Sequence, residues 1–474
     1  MTSIILWTLL AIDIVLVIMA LVKVLLEELQ PFKAMFWVMT IVFVPILGLV
    51  LFFFFGKNLH KKRLLSDRTH MLIAERIYQG FTAQDDLVIP ARHERVINFF
   101  ARLTLAFPFK NNRIEILSEG SDFFLNLLHD IGQAQSHIHL ITYIFTDDAL
   151  GRLVADALID KAREGVEVRV IYDDVGSWET SNRFFERLRG AGVDVVSFMP
   201  VRFPAFTGKV NYRNHRKICV VDGKVGYIGG MNLALRYAKG GRGRDWCDTH
   251  LRVCGAVVSS LQRSFIDDWY LVDHSILRDD KYYPAPTVEP NDCLAQVVLS
   301  SPLLPWNGLM QGYVSLIYEA RKYVYIETPY FIPPQPVLMA LTTKALAGVD
   351  VCVMLPEHAD RWFVEHAARS YIDRAHDAGV KFYLYQPGIN HSKLLIIDDM
   401  VCSCGSTNID FRSFENNCES NLFIYDTEMA LRMKHLFLGD LAHCSPLDEN
   451  YLFQHHTIHQ RLADGVVRMF SPLM

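Results

Sequence analysis

The chain has 474 residues, of which 51% are hydrophobic, and its formal net charge is −5. This length allows two or three domains, and the excess of hydrophobic residues indicates that part of the chain lies in lipid. The slightly acidic charge argues against a nucleic-acid-binding protein, because such proteins normally carry a basic surface.

The start of the chain contains two apolar segments, residues 4–26 and 32–55. Each is long enough to cross the hydrocarbon core of a bilayer, which takes about 20 helical residues. A basic cluster follows the second segment at Lys57, Lys61, Lys62, Arg63 and Arg68. Because cytoplasmic flanks are enriched in lysine and arginine, we predict a two-helix transmembrane hairpin over residues 1–60 with both termini in the cytoplasm. A cleaved signal peptide is disfavoured, because no basic region precedes the first segment.

The rest of the chain repeats one plan of alternating helices and strands, which is typical of an α/β fold. "SHIHLITYIFTDD", which begins at Ser136, matches "KYVYIETPYFIPP", which begins at Lys322, and "AREGVEVRVIYDD" matches "ALAGVDVCVMLPE". We predict a pair of halves related by a pseudo-twofold axis. The predicted division is a linker and juxtamembrane region over residues 61–110, a first half over 111–285 and a second half over 286–474.

Each half carries one copy of a motif built around a histidine. The first copy is "NHRKICVVDGKVGYIGGMN", which holds His215, and the second is "HSKLLIIDDMVCSCGSTN", which begins at His391. In both copies a lysine follows the histidine after 2 positions, an aspartate after 7, a glycine after 14 and an asparagine after 17. Residues two apart on a strand point to the same face, so each histidine and its lysine project together. Chance does not explain equal spacing in two copies.

The residue types of this motif fit a phosphate site to which both halves contribute. A neutral imidazole can attack phosphorus while a protonated one donates to the departing oxygen, and lysine and asparagine can hold the non-bridging oxygens. The lysines supply the positive charge that a metal would bring, so we expect neither a metal nor a cofactor. An attacking histidine needs an acceptor for its other nitrogen, and Asp248 and Glu419 follow the two motifs in comparable settings.

The aspartate of each motif falls where a hairpin turn is expected, which favours a structural role for it over a chemical one. It nevertheless belongs to the repeated motif. The candidate residues are the catalytic motif His215, Lys217, Asp222, His391, Lys393 and Asp398, the phosphate-binding Gly230, Asn232, Ser406 and Asn408, and the histidine-orienting Asp248 and Glu419.

These paired motifs resemble the HxKx4D signatures of the phospholipase D superfamily. The whole chain is more closely similar to the bacterial cardiolipin synthases, at "VPILGLVLFFFFGKN", "WCDTH", "TPYFIP", "GSTNIDFRSFENNCE" and the terminal "FSPLM". The resemblance implies a two-repeat phospholipase D fold in which mixed sheets are flanked by helices. It also implies a phosphatidyltransferase of the bacterial inner membrane, with its catalytic domain on the cytoplasmic side.

In the reaction that the resemblance implies, one phosphatidylglycerol loads a histidine with its phosphatidyl group and releases glycerol. A second phosphatidylglycerol then attacks to give cardiolipin. His215 would be the nucleophile and His391 the acid and later the base, and the reverse order stays open. The expected partners are phospholipid substrates and the membrane, without nucleic acid, and a homo-oligomer is left open.

Three other functions fit parts of the sequence. A phospholipase D hydrolase, or a transphosphatidylase that uses another acceptor alcohol, would differ only in the second nucleophile. A nuclease of the same superfamily is disfavoured by the acidic charge and the apolar segments, and a non-catalytic scaffold by the filled reactive positions. The loop over residues 199–213 is aromatic and basic, and we expect it to be either a contact with lipid headgroups or an exposed connection.

Overall fold

The computed structural model describes residues 2–27, 31–56, 67–84, 87–201, 211–241, 245–286, 293–304, 306–447 and 457–471. Most of the loop predicted over residues 199–213 therefore lies outside the described residues. The α-helices within the described ranges are α1 Thr2–Leu26, α2 Pro31–Phe43, α3 Pro45–Phe55, α4 Asp67–Thr82, α5 Glu94–Thr104, α6 Gly120–Gln133, α7 Ala149–Arg163, α8 Asn182–Gly190, α9 Arg236–Lys239, α10 Val258–Asp273, α11 Gly308–Glu319, α12 Gln335–Leu346, α13 Trp362–Asp377, α14 Phe411–Glu415, α15 Thr427–Leu441 and α16 Ile458–Met469.

The strands fall into two similar series. The first series is β1 Phe109–Leu117, β2 His137–Thr142, β3 Glu167–Asp173, β4 Asp194–Phe198, β5 Arg213–Asn214, β6 Ile218–Val221, β7 Val225–Gly229, β8 Asp245–Cys247 and β9 His250–Gly255. The second series is β10 Cys293–Ser300, β11 Tyr323–Glu327, β12 Phe331–Ile332, β13 Asp350–Pro356, β14 Lys381–Tyr385, β15 Gly388–Asn390, β16 Leu394–Ile397, β17 Val401–Gly405, β18 Ile409–Asp410, β19 Asn417–Ile424 and β20 Cys444–Pro446.

Three apolar helices, α1 to α3, form the amino-terminal region and pack on one another. Among the described residues, the stretch Ile4–Leu26 in α1 is the one long and apolar enough to span a membrane, with a mean hydropathy of 2.8. The second apolar segment is not one helix, because α3 begins at Pro45 after a break at Val44. Proline has no amide hydrogen to donate to the preceding turn, so it ends one helix and starts another. The structure thus has one long apolar helix and one broken segment where the sequence predicted two spans.

Most strands belong to a single mixed sheet of order β20-β14-β13-β11-β16-β17-β19-β10-β1-β9-β7-β6-β2-β3-β4. Counted inward from β14 and inward from β4, the strands follow in corresponding order, so each of the seven strands of the first series in this order has a counterpart in the second series. β2, β3 and β4 are parallel, as are β11, β13 and β14, and the other neighbours are antiparallel. Parallel strands need crossover connections, which α7, α8, α12 and α13 provide. This mixed sheet with helices confirms the predicted α/β class.

Both histidines lie at the same end of this sheet. β6 runs antiparallel to β2, and β16 runs antiparallel to β11. His215 and His391 come shortly before β6 and β16, and they therefore lie near the carboxyl ends of the parallel strands. The loops that leave these strands surround the histidines, which is the usual place for a site in an α/β sheet.

The core joins the two strand series. One buried cluster contains Val220 and Leu251 from the first series together with Ile396 and Leu422 from the second. Two further clusters belong mainly to one series each. Because burial of apolar area is the dominant favourable contribution to folding, separating the two series would expose the shared cluster to water at a large cost. The shared core therefore holds the two histidine motifs in a fixed relation.

Candidate active site

Each histidine is held at its backbone by strands of the opposite half. The short strand β5 precedes His215 and pairs with β19, where the Cys418 carbonyl accepts the His215 amide hydrogen at 2.9 Å. β15 precedes His391 and pairs with β8, where the Cys247 carbonyl accepts the His391 amide hydrogen at 2.7 Å. Neither backbone position would be held in this way in an isolated half.

The imidazole rings are also held across the halves. His215 Nδ1 lies 3.1 Å from each carboxylate oxygen of Glu419 and 3.1 Å from the Ser406 carbonyl oxygen. His391 Nδ1 lies 2.7 Å from the Asp248 Oδ2 atom. Each histidine therefore uses the acid of the other half. The sequence pointed to both acids but could not show that they cross over.

The two lysines lie buried beside the histidines that they follow. Lys217 Nζ donates to the His215 carbonyl oxygen at 2.6 Å and lies 5.3 Å from the centre of the Tyr143 ring. Lys393 Nζ donates to the His391 carbonyl oxygen and lies 3.5 Å from Asp248. Burial lowers the pKa of both lysines, and the nearby carboxylates oppose this shift. The ammonium groups are thus poorly hydrated and available to an anionic ligand.

The electrostatic surroundings favour neutral imidazoles. Burial lowers the pKa of His391 to about 4, and the Lys393 ammonium adds to the effect. Burial also lowers the pKa of His215. Burial alone would raise the pKa of Asp248 and Glu419, but neighbouring cationic groups hold both carboxyl pKa values below their usual range. Near pH 7 the Glu419 carboxylate therefore accepts the Nδ1 hydrogen of a neutral His215 ring, and this tautomer leaves a lone pair on Nε2 of His215.

An asparagine that the sequence reasoning missed fixes the peptide before His215. Asn214 Oδ1 accepts the Arg216 amide hydrogen at 3.2 Å, and Asn214 Nδ2 donates to Asp268 at 2.8 Å. Arg216 also donates to Asp268, at 2.5 Å. The asparagine side chain thus closes a turn around the histidine and ties it to a buried acid on α10.

The same device recurs before His391. Asn390 Oδ1 accepts the Ser392 amide hydrogen at 3.0 Å, and Asn390 Nδ2 donates to Glu327 at 3.2 Å. Glu327 is fully buried on β11, and burial together with Asp440 raises its pKa to about 8. The signal in the sequence is an asparagine directly before each histidine, and in the second copy this asparagine stands just before the repeated motif that begins at His391.

Gly230 and Ser406, which we predict to contact phosphate, both lie against the orienting acids. A Cβ atom on Gly230 would lie 1.9 Å from Asp248 Oδ1, so only glycine leaves room for this carboxylate. Ser406 Oγ donates to Glu419 at 2.5 Å, while its carbonyl faces His215. Both residues therefore position an acid against a histidine.

The two asparagines at the end of the motifs are buried in local networks. Asn232 Oδ1 accepts the Ile144 amide hydrogen at 3.1 Å, and its Nδ2 donates to the Tyr237 hydroxyl. Asn408 Nδ2 donates to Asp410 at 3.1 Å, while Asn408 Oδ1 is buried without a partner among the described residues. The Tyr237 ring lies 6.4 Å from the His391 ring, so Asn232 belongs to the wall of the site.

Asp222 and Asp398 lie apart from the histidines, which corrects their place in the candidate catalytic set. Both have positive φ angles, of 52° and 55°, in the turns after β6 and β16. Asp222 accepts three backbone N–H groups at the start of β2 at 2.7–2.9 Å, and Asp398 accepts three at the start of β11 at 2.7–2.9 Å. The hydrogen bonds hold these carboxylates at the end of the sheet opposite the histidines, as the hairpin interpretation predicted.

Aromatic rings form the walls of the site. The Tyr143 ring lies 4.9 Å from the His215 ring, and the rings of Trp246 and Tyr330 lie 5.1 and 6.3 Å from the His391 ring. Within the described ranges, no group of three or more histidine, cysteine or acidic side chains is placed to hold a metal ion. The arrangement can therefore offer one phosphate group two imidazole nitrogens and two ammonium groups in a poorly hydrated setting.

Comparison with known families matches the parts of the chain that contain the two histidine motifs. The model described as "Cardiolipin synthase, PLD-like domain" matches residues 127–246 and 313–441, which hold both motifs. A second model, described as phospholipase D-nuclease N-terminal, matches residues 5–57.

Curated relatives extend over nearly the whole chain. Cardiolipin synthase 2 of Bacillus cereus is 36% identical over 461 residues, covering 95% of this chain and 88% of the relative. The cardiolipin synthase of Oceanobacillus iheyensis is 37% identical, covering 95% of both chains. Among solved structures, phosphatidylserine synthase of Haemophilus influenzae matches 79% of this chain and 99% of its own with a TM-score of 0.59 at 17% identity. That structural likeness shows a shared fold.

Proposed function

Because the chain belongs to the cardiolipin synthase family of the phospholipase D superfamily, we propose that it is a membrane-bound phosphatidyltransferase. It converts two molecules of phosphatidylglycerol into cardiolipin and glycerol. The observation that carries this proposal is the crossed pair of buried imidazole–carboxylate contacts, His215 with Glu419 and His391 with Asp248. In this proposal the two pairs are related by a pseudo-twofold axis and together form one composite site.

In the first step, the Nε2 lone pair of His215 attacks the phosphorus of phosphatidylglycerol. The bond between phosphorus and the glycerol headgroup oxygen breaks, and His391 gives that oxygen its Nε2 proton. An anionic phosphodiester beside His391 raises the pKa of this ring above its value in the empty site, and this shift favours the protonated ring when substrate is bound. The products are glycerol and a phosphatidyl group on His215.

In the second step, a hydroxyl of another phosphatidylglycerol attacks the same phosphorus. Neutral His391 accepts the hydroxyl proton, the P–N bond to His215 breaks, and cardiolipin leaves. Both histidines return to their starting states, and the sum is two phosphatidylglycerols to one cardiolipin and one glycerol.

The asymmetry of the site supports His215 as the nucleophile. His215 Nδ1 faces oxygen acceptors, which stabilise the positive ring formed when Nε2 binds phosphorus. His391 Nδ1 lies 2.6 Å from the Lys393 ammonium as well as near Asp248. A nearby cation makes the protonated ring a stronger acid, which suits proton donation to glycerol. Lys217 and Lys393 hold the non-bridging oxygens in this proposal.

The protein is a membrane protein, and we place its parts as follows. α1 and the broken α2–α3 segment form a two-pass hairpin within residues 1–60, with the catalytic unit on the cytoplasmic face of the inner membrane. Residues 61–110 connect this hairpin to the halves 111–285 and 286–474. The partners are phospholipids, with no nucleic acid. The basic cluster after the second segment and the acidic total charge support this placement.

The test is product analysis with purified full-length protein in detergent and phosphatidylglycerol, without added metal. We expect cardiolipin and glycerol in equal amounts. Phosphatidic acid as the sole lipid product would mean that water is the second nucleophile and would overturn the synthase proposal. Consumption of phosphatidylglycerol only when another alcohol is supplied would indicate a different acceptor.

A further inference from the structure

Beyond the apolar amino-terminal helices, three tryptophans that the proposed chemistry does not use are exposed. The exposed fractions are 80% for Trp178, 61% for Trp306 and 70% for Trp362. A tryptophan side chain carries a large apolar surface, and a globular protein normally buries most of it. Trp246 and Trp269 follow that rule, since one packs beside His391 and the other is buried in the core.

Trp178 lies at the mouth of the site on the His215 side. It belongs to the turn that follows β3, at the carboxyl end of the parallel strands. The neighbouring Ser177 hydroxyl donates to the Tyr143 carbonyl oxygen at 3.2 Å. The Tyr143 ring lies 4.9 Å from the His215 ring. One residue therefore separates this turn from the reacting histidine.

Trp362 has the equivalent position on the His391 side. It begins α13, after the loop that leaves β13. In that loop Asp360 accepts the Tyr330 hydroxyl hydrogen at 2.8 Å, and the Tyr330 ring lies 6.3 Å from the His391 ring. Again one aromatic residue separates the loop from the histidine.

Trp306 lies at the same end of the sheet, beyond β10. Its neighbour Asn307 accepts a hydrogen bond from the Ser300 hydroxyl at 3.2 Å. Ser300 is paired with Glu419 in the β10–β19 register, and Glu419 contacts His215. Trp178, Trp306 and Trp362 therefore all lie at the histidine end of the sheet, on three different loops.

We propose that Trp178, Trp306 and Trp362 form an interfacial rim that docks the mouth of the active site on the bilayer surface. Tryptophan prefers the boundary between headgroups and acyl chains, where its ring is apolar and its N–H meets water. A bilayer is within reach because α1 of the same chain is a candidate membrane span. Docking would let a lipid enter from the boundary without exposing its acyl chains to water. This inference rests on the proposed function, because the substrate is then a bilayer lipid.

The first test compares two forms of the substrate. Full-length protein is reconstituted in vesicles, and turnover is measured on long-chain phosphatidylglycerol in the bilayer and on dissolved short-chain phosphatidylglycerol. In the triple variant Trp178→Ala, Trp306→Ala, Trp362→Ala we expect the ratio of bilayer to monomer turnover to fall about tenfold or more, because docking scales with buried apolar area. The control is Leu346→Ala, since Leu346 is 74% exposed at the end of α12, at the opposite end of the sheet, and the ratio should not change.

The outcomes separate this inference from the proposed function. If the wild-type protein makes no cardiolipin from either substrate form, the proposed function fails. If the wild-type protein makes cardiolipin but the triple variant keeps the wild-type ratio, the rim does not dock and the inference is overturned. An equal loss on both substrate forms would also overturn it, because it would give the tryptophans a role inside the site.

The second test does not depend on turnover. In a Trp7→Phe, Trp37→Phe background, the remaining tryptophans are the three of the rim and the two packed ones. Brominated lipids in vesicles of phosphatidylglycerol and phosphatidylethanolamine should quench much of the fluorescence of this background. They should quench far less after Trp178, Trp306 and Trp362 are also changed to phenylalanine. Equal quenching before and after this change would point to another occupant of the rim, such as a protein, and would overturn the inference.

Discussion

The two histidines have the same backbone frame but different electrostatic surroundings. Nδ1 of His215 faces Glu419 and a backbone carbonyl, whereas Nδ1 of His391 lies between a carboxylate and the Lys393 ammonium. The buried acids that hold the two asparagines also differ, since Asp268 on the His215 side is paired with Arg216, whereas burial raises the pKa of Glu327 on the His391 side to about 8. A repeated fold can thus give two identical side chains different proton affinities, which a two-step transfer requires.

The largest expected effect comes from removing either ring. His215→Ala and His391→Ala should each lower turnover of phosphatidylglycerol by about 10⁴-fold or more, because the two rings act as one unit. A phosphatidyl ester of p-nitrophenol distinguishes the roles of the two histidines, because its leaving group departs without needing a proton from an acid. His391→Ala should release one equivalent of p-nitrophenol in a burst and retain a phosphatidyl adduct, and His215→Ala should release none. A burst in His215→Ala instead would reverse the two roles.

Next in size is the loss of one orienting acid. Glu419→Gln and Asp248→Asn should each lower turnover by about 10- to 100-fold, because the ring loses its charged acceptor. With the p-nitrophenyl ester, Asp248→Asn should recover most of its burst rate, since the acid step is bypassed, whereas Glu419→Gln should not. Stopped-flow measurement of the burst distinguishes the variants. Equal recovery in both would mean that the crossed pairing does not divide the two roles.

Gly230→Ala tests the Asp248–His391 contact without changing either of these two residues. The added Cβ would lie 1.9 Å from Asp248 Oδ1, so this carboxylate must shift away from His391. We expect a turnover defect of the same kind as in Asp248→Asn, with a smaller size if the carboxylate moves only partly. Gly132→Ala in α6 is the control, since no atom lies within 4 Å of its added Cβ, and it should keep wild-type turnover. Wild-type turnover in Gly230→Ala would contradict a tight fit at this position.

The smallest expected effect is on the pH dependence of folding stability, and it comes from Glu327, the buried acid on the His391 side. The folded-state pKa of Glu327 is about 8, above an ordinary value of 4.5, so the folded protein holds a proton here that the unfolded chain loses. By linkage, the stability of the wild-type protein relative to Glu327→Gln should fall as pH rises from about 4.5 to 8. Thermal unfolding of both proteins at pH 5, 7 and 9 measures this difference. A difference that grows in favour of the wild type at high pH would contradict it.

The α/β sheet could be predicted from the sequence because apolar runs, crossover helices and a repeated motif are local patterns. The Asp-Gly pair at Asp222 likewise predicted its turn, since two positive φ angles favour those residues. Which acid meets which histidine could not be predicted, because that pairing depends on β5 meeting β19 and β8 meeting β15 across the halves. The apolar composition of residues 32–55 predicts one continuous span, but composition does not take into account that Pro45 interrupts the helix.

The crossed strands also bear on how the protein is made. Synthesis proceeds from the amino terminus, so His215 leaves the ribosome about 200 residues before Glu419 and Cys418, which are needed to hold it. Until β19 is in place, the first ring has neither its backbone acceptor nor its carboxylate. A polypeptide released early by a stalled ribosome would therefore be inert toward phospholipids, and activity would begin only when nearly all of the message has been translated.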